Sequence, residues 1–208
     1  DPSTATARGG PYAWDALTHL CFSNFLKLEP ERSEGHVESA TVLLDAGADP
    51  NGGFHEPGHS PTPQFESVLY GACGVAHDAG LTRLLLARGA DGNDEEVTYH
   101  AAETYDNAAL EVLVRHGKLT ADSLTTLLVR KSDWHDVAGV RWLLAQGADP
   151  ARPTRWSASA FVHAISRDNS LDILALMLDH GADPLASSHG VSAIAEAEFL
   201  ERDSGQSR

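Results

Sequence analysis

Two cysteines, Cys21 and Cys73, are all that the 208 residues contain. That is too few for a disulfide framework or for a zinc site built from paired thiolates. Lysine is nearly as scarce: three stand against twelve arginines, and with 30 acidic residues the formal net charge is −15. A surface of that sign repels phosphate backbones and anionic lipid, so neither nucleic acid nor a membrane surface is an expected partner. A basic or neutral protein remains open. No apolar run approaches the ~18 residues of a membrane-spanning helix. No secretory leader is visible, although a chain that begins at Asp1 leaves a removed targeting segment open. There is no phosphate-cradling glycine loop and no G-x-S-x-G elbow, so no cofactor is expected. Aromatic residues make up 7% of the chain, so any ring that falls in a loop becomes a candidate contact residue.

What the chain does have is one phrase, repeated. Val42-Leu43-Leu44-Asp45-Ala46-Gly47-Ala48-Asp49-Pro50 returns as Leu84 to Asp91, as Trp142 to Pro150 and as Leu176 to Pro184, with a weaker copy at Val112 to Gly117. The shared glycines, Gly47, Gly89, Gly117, Gly147 and Gly181, are 42, 28, 30 and 34 residues apart. A recurrence near 30 residues sets the fold before any other signal is read. Each copy is a leucine-rich helical turn closed by a glycine, which takes the left-handed conformation at no steric cost. Basic residues such as Arg88, Arg115 and His180 suit the negative end of the helix dipole, and proline keeps the helix from resuming. One short amphipathic helix cannot bury its own stripe, whereas stacked copies can.

This LL-x-x-GAD-P phrase resembles the ankyrin repeat, and the resemblance covers most of the chain. It implies an all-α ankyrin-repeat solenoid of stacked helix-turn-helix units, read as a single domain over 1–208. The repeats are placed at about 12–50, 66–93, 95–118, 122–151 and 157–185, with a partial C-terminal cap at 190–203. The first-helix signature, T-P-L-H-x-A in the family, is worn throughout, most of all in Thr125 to Lys131. Cys21 and Cys73 fall in equivalent slots of neighbouring repeats. Stacked helices lie roughly 8–10 Å apart, beyond the ~7 Å reach of a disulfide. Two buried thiols and a reducing, cytoplasmic setting are therefore expected. The arginine-, alanine- and glycine-rich composition points to a bacterial source.

Two stretches are longer than the resemblance requires. Cys21 to Gly47 spans 26 residues, about 11 more than an ordinary repeat uses. Either an insertion separates its helices or the first helix is long. Residues 51–65, NGGFHEPGHSPTPQF, form a projecting finger about 8 residues over the usual length. The resemblance implies a concave groove and fingers that grip another protein. On residue type and loop position, the contact candidates are Phe54, His55, His59 and Phe65 on the long finger, and Tyr99, Tyr105, Trp134, Arg155 and Trp156 along the turns and loops.

Several strings imitate catalytic motifs. His55-Glu56-Pro57-Gly58-His59 matches H-E-x-x-H, but Pro57 and Gly58 forbid the helix that would put both histidines on one face. No metal is expected there. Asp133-Trp134-His135-Asp136 looks catalytic until compared with His77-Asp78, Asp106-Asn107 and Asp168-Asn169-Ser170. All precede a second helix, so capping of free N–H groups is the expected role. His19, His100 and His163 share one first-helix slot and are expected to be hydrogen-bonded structural residues. The sequence thus predicts a non-catalytic, monomeric protein-interaction module that binds through the groove and the 51–65 finger. The alternative is an enzyme or small-ligand binder using the groove and inserted loops as a pocket, with His19, Tyr99, His100 or His135 converging in it. A third reading is a bare spacer within a longer polypeptide.

Overall fold

The Gly-Ala-Asp phrase does the same physical work each time it appears in the computed structural model, which describes residues 2–58, 62–156, 158–188 and 191–199. Gly47, Gly89, Gly117, Gly147 and Gly181 all have positive φ, between 76° and 98°. At four of the five the next residue is an alanine whose N–H reaches back into the helix it follows: Ala48 to Leu43, Ala90 to Leu85, Ala148 to Leu143 and Ala182 to Met177, at 3.0–3.1 Å. Those alanines are buried. The aspartate then folds the chain away. Asp49, Asp91, Asp149 and Asp183 each accept the backbone N–H two residues on, at 2.8–2.9 Å. Orphan carbonyls at the helix end are thus satisfied, and the following loop is set by a side-chain turn.

The described chain is mostly helical and falls into two compact units. One comprises the residues up to Ala101 together with Asp106–Leu119; the other comprises Ala102–Tyr105 together with the residues from Thr120 on. In the first unit the order is α1 (Ala16–Cys21), α2 (Phe25–Leu28), α3 (Ser33–Asp45), β1 (Gly53–Glu56), β2 (Gln64–Ser67), α4 (Val68–Tyr70), α5 (Ala79–Ala87), α6 (Glu95–His100) and α7 (Ala108–Arg115). The first helices α1, α4 and α6 pack in sequence, as do the second helices α3, α5 and α7. Leu17, Leu69, Leu81, Leu85, Leu110 and Leu113 are fully buried in this stack. Asparagines tie its loops together. Asn51 bonds Gly89 O (3.0 Å) and Asp91 N (2.9 Å), and Asn93 donates to Lys118 O (2.9 Å).

The second unit contains α8 (Ala121–Asp133), α9 (Val137–Ala145), α10 (Ala160–Ser166), α11 (Leu171–Asp179), the short antiparallel pair β3 (Ser187–Ser188) and β4 (Val191–Ser192), and α12 (Ala193–Phe199). Here α8, α10 and α12 pack in sequence and α9 lies on α11, around Leu127, Leu128, Leu143, Ile173 and Met177. Residues 190 and 200–203 of the expected cap lie outside the described residues.

The extra length before Gly47 is an insertion between the helices, residues 22–32, and not a long first helix. It becomes α2 and a 3-10 turn at Pro30–Arg32, ahead of a 13-residue second helix, α3. Capping accounts for part of the recurring turn. Asp78 accepts Leu81 N at 2.7 Å, Asp136 accepts Gly139 N at 3.0 Å, and Asp106 accepts Ala108 N at 3.0 Å. Asn107 and Ser170 make no side-chain cap bond, and Asn169 instead donates back to Ala164 O. The residues just before these turns, His77, His135 and Asp168, sit at φ of 53°, 52° and 56°. The turn needs a left-handed residue there, and the side chains had disguised that. Cys21 and Cys73 are free and buried. Burial, helped by Asp15 and Asp78, raises the Cys21 thiol far above its ordinary range, and burial pushes Cys73 up to about 12. Both are packing residues, not nucleophiles.

Candidate functional site

The first helices of the first unit present a row of rings. Tyr12 stacks on Trp14 (centroids 4.9 Å), and Trp14 meets Phe22 (5.6 Å) and Phe54 (4.4 Å). Phe22 meets Phe54 (5.2 Å) and Tyr70 (5.7 Å), Tyr70 meets His100 (5.1 Å), and His100 meets Tyr99 (4.8 Å). The backbone makes room for the row. After α4 the chain widens into a π turn, Gly71–Val75, closed by Ala76 N to Gly71 O at 2.9 Å. A Cβ at Gly71 would come within 2.8 Å of the Phe22 ring, and one at Gly74 within 2.8 Å of Tyr70 and 2.9 Å of His100. The rings are half-buried apart from the exposed Tyr12, so the row packs on one side and faces outward on the other.

The long finger is a β-hairpin. Gly53, Phe54, His55 and Glu56 pair with Ser67, Glu66, Phe65 and Gln64. Directly opposite residues share a face. Phe54 and Glu66 therefore lie on the side that meets Trp14 and Phe22, whereas His55 and Phe65 pair on the other side, with ring centroids 5.1 Å apart. Phe54 packs back on the helices, and Phe65 stays 37% exposed. His55 lies in a strand, which removes the helix that H-E-x-x-H chemistry needs; His59 is outside the described residues.

Glu66 is the residue that sequence reading passed over. It is only 9% exposed, its Oε2 has no hydrogen-bond partner, and its carboxyl is raised to about 7. Burial is the main cause, with Glu96, Asp94 and Glu56 adding and His100 opposing. The acids around it are all occupied: Glu96 faces His100 Nε2 at 3.2 Å, Asp94 accepts Glu96 N, and Glu56 accepts Gly58 N. The hairpin register with Phe54 was the available signal, and it required knowing the turn length.

In the second unit, Tyr105 donates its hydroxyl to Trp134 O at 3.0 Å and packs edge-on against the indole. Trp134 is the C-cap of α8. Arg155 lies over the Trp156 ring, 4.5 Å from its centroid. These candidates form two separate pairs, not one patch. Asp133, read as a cap, is not one. It accepts from His163 Nε2 (2.7 Å) and forms ion pairs with Arg167 (Nε at 3.1 Å) and Arg130, which also reaches Glu103. Burial would raise the Asp133 carboxyl, but the His163 hydrogen bond and these cations outweigh it and hold it below its usual range. Lys131, in the worn fourth first helix, is completely buried. Its Nζ lies 3.2 Å from Asp136 and donates to Thr104 O. A Cβ at Gly139 would strike Lys131 Cδ at 2.6 Å, so the glycine clears the lysine's path.

Of the three histidines sharing a slot, His163 and His100 face carboxylates as expected, while the exposed His19 leans on Trp14 at 5.2 Å. Among the described residues no three His, Cys, Asp or Glu side chains gather to hold a metal, and no helix is long and apolar enough to cross a membrane. An open cleft of about 520 Å³ lies beside the α2 insertion, lined by His19, Arg32, His36 and neighbours. The titratable groups of the pocket hypothesis do not meet in it: Tyr99 and His100 belong to the ring row instead.

No protein-family model matches the chain, and no curated protein sequence matches it. Solved structures do. The human ASB11 ankyrin repeat domain is 22% identical, covers 97% of this chain and 84% of its own, and superposes with a TM-score of 0.72. The ankyrin repeat domain of Bcl-3 is 20% identical over 84% of this chain and 80% of its own, with a TM-score of 0.66. An ankyrin repeat domain from Acinetobacter baumannii is 19% identical over 86% and 93%, with a TM-score of 0.63. Together with the repeated helix-closing phrase, these likenesses identify the chain as having the fold of an ankyrin repeat protein.

Proposed function

We propose that this chain is a non-catalytic protein–protein interaction module and that its contact surface is the ring row of the first unit together with the hairpin that contributes Phe54 to it. The carrying observation is the continuous run of half-buried rings from Trp14 through Phe54, Phe22 and Tyr70 to His100 and Tyr99. Large, rigid rings give contact area at low entropic cost and are the usual anchors of an interface. Phe65 and Tyr12 add exposed apolar surface at the margins. The net charge of −15 favours a basic or neutral protein over nucleic acid or an anionic membrane. Tyr105 with Trp134 and Arg155 with Trp156 are secondary contacts in this reading.

The test is an affinity capture from source-cell lysate with three forms: the chain itself, a form with residues 54–65 replaced by a Gly-Ser linker, and Tyr70→Ala. All must first show matching helical circular dichroism. Expected is a protein held by the first and released by the other two. Equal capture by all three would remove this surface from the function.

A further inference from the structure

Glu66 presents an unanswered question of charge. A carboxylate taken out of water costs several kcal/mol unless a cation or donors compensate it. Glu66 is more than nine-tenths buried, and its Oε2 has no hydrogen-bond partner among the described residues. Its acidic neighbours Glu96, Asp94 and Glu56 make the position more negative, and the single histidine that offsets them, His100, is 3.2 Å from Glu96. Arg8 lies against the same hairpin but donates Nη2 to Gly53 O at 3.3 Å. Beside Glu66, on the same hairpin face, is Phe54, and the ring row continues from it. A buried carboxylate flanked by acids and aromatic faces is the complement of a planar cation. Guanidinium bonds carboxylate through a fixed fork and stacks on rings, which ammonium does less well.

We infer that this hairpin face is a subsite for an arginine side chain of the partner protein, with Glu66 as its carboxylate seat, Glu96 as a supporting charge and Phe54 as the flanking ring. The subsite rests on the interaction reading above and names the chemistry it selects. In the free chain, Glu66 keeps its proton near neutrality. An incoming guanidinium displaces that proton, so binding strengthens as pH rises through about 7.

The experiment uses the full isotopically labelled chain at low salt, titrated with N-acetyl-arginine methylamide and, separately, with the uncharged citrulline analogue. Expected are amide shifts centred on Phe54, Glu66 and Glu96 with arginine alone, and a fall in the Glu66 carboxyl titration midpoint. Glu66→Gln should weaken binding roughly tenfold or more, the worth of one charge-assisted hydrogen bond. Glu38→Gln, which removes an equal charge from exposed α3, should not. Shifts scattered over the acidic surface, equal binding by citrulline, or equal loss in both variants would overturn the subsite. A captured protein that is lost with the hairpin but indifferent to Glu66→Gln would leave the interaction reading standing and remove only the arginine seat. Absence of any hairpin-dependent capture would instead strike the reading itself.

Discussion

Lys131 and Glu66 are two buried charges solved in opposite ways, and each yields a prediction. Lys131 is compensated by Asp136 and Thr104 O. Burial lowers its pKa and Asp136 holds it up. Removing the partner strands the cation, so Asp136→Ala should cost about 3–5 kcal/mol, including the lost cap of α9. Removing the cation instead leaves the buried Asp136 carboxylate with its Gly139 N bond but without its counter-ion, so Lys131→Met should cost less than Asp136→Ala, about 1–3 kcal/mol. Urea denaturation of both variants checks the pair, and equal costs would mean that Lys131 contributes packing and little charge. Glu66 keeps an unpartnered Oε2, and the sign follows from its raised carboxyl. The folded chain holds the proton more tightly than the unfolded chain, so this group's penalty grows from about pH 4.5 to about pH 7 and is complete above that. Glu66→Gln should therefore raise the melting temperature by several degrees at pH 8 and hardly at all at pH 4. A gain that is the same at both pH values would show that the carboxyl is not perturbed. Neither residue was legible in the sequence. Lys131 stands in a stretch that reads as an amphipathic helix end, and only Gly139, eight positions on, hints at the space it needs. Glu66 reads as a solvated loop acid until the 53–56/64–67 register turns it inward.

At the scale of the element, the repeated phrase was legible because one physical requirement recurs: a left-handed glycine, a buried alanine and a turn-forming aspartate. The first helices were worn because other requirements displaced the family pattern. Gly71 and Gly74 leave the space that Phe22, Tyr70 and His100 fill. Two alanine substitutions should thus move stability in opposite directions. Gly74→Ala forces Tyr70 or His100 to shift and should cost about 1–3 kcal/mol. Gly35→Ala, in exposed α3 with nothing within 4 Å of the new Cβ, should gain about 0.5–1 kcal/mol. Thermal melts of both variants decide it; a neutral Gly74→Ala would mean that the ring row is loosely held. Leu143, fully buried in α9, supplies the plain core case: Leu143→Ala should cost about 2–5 kcal/mol, and less than about 0.5 would undercut the packing of that helix. The finger was read correctly as non-helical, because proline and glycine decide that locally. That it would be a hairpin was not, since the strands are four residues each and Phe54 packs on Trp14 and Phe22, far earlier in the chain.

At the scale of the molecule, charge is the dominant unspent quantity. Thirty acidic residues face 15 basic ones, and the exposed ion pairs, such as Arg152 with Asp122 and Arg115 with Glu111, are each worth under about 1 kcal/mol. Self-repulsion among the excess carboxylates acts over longer distances and opposes the compact state. Salt screens both, but the repulsions outnumber the attractions. Raising sodium chloride from roughly 10 mM, where the Debye length is about 30 Å, to 0.15 M, where it is about 8 Å, should therefore raise the melting temperature by a few degrees. Most of the gain should come below about 0.1 M, since specific ion effects on the apolar core need higher concentrations. The same salt should slow association with a basic partner, because steering by the acidic surface is lost, while leaving dissociation largely alone. A melting temperature that falls with salt would mean that the surface pairs outweigh the net charge. An association rate indifferent to salt would mean that the partner is recognised by the aromatic row alone, without help from the 15 excess charges.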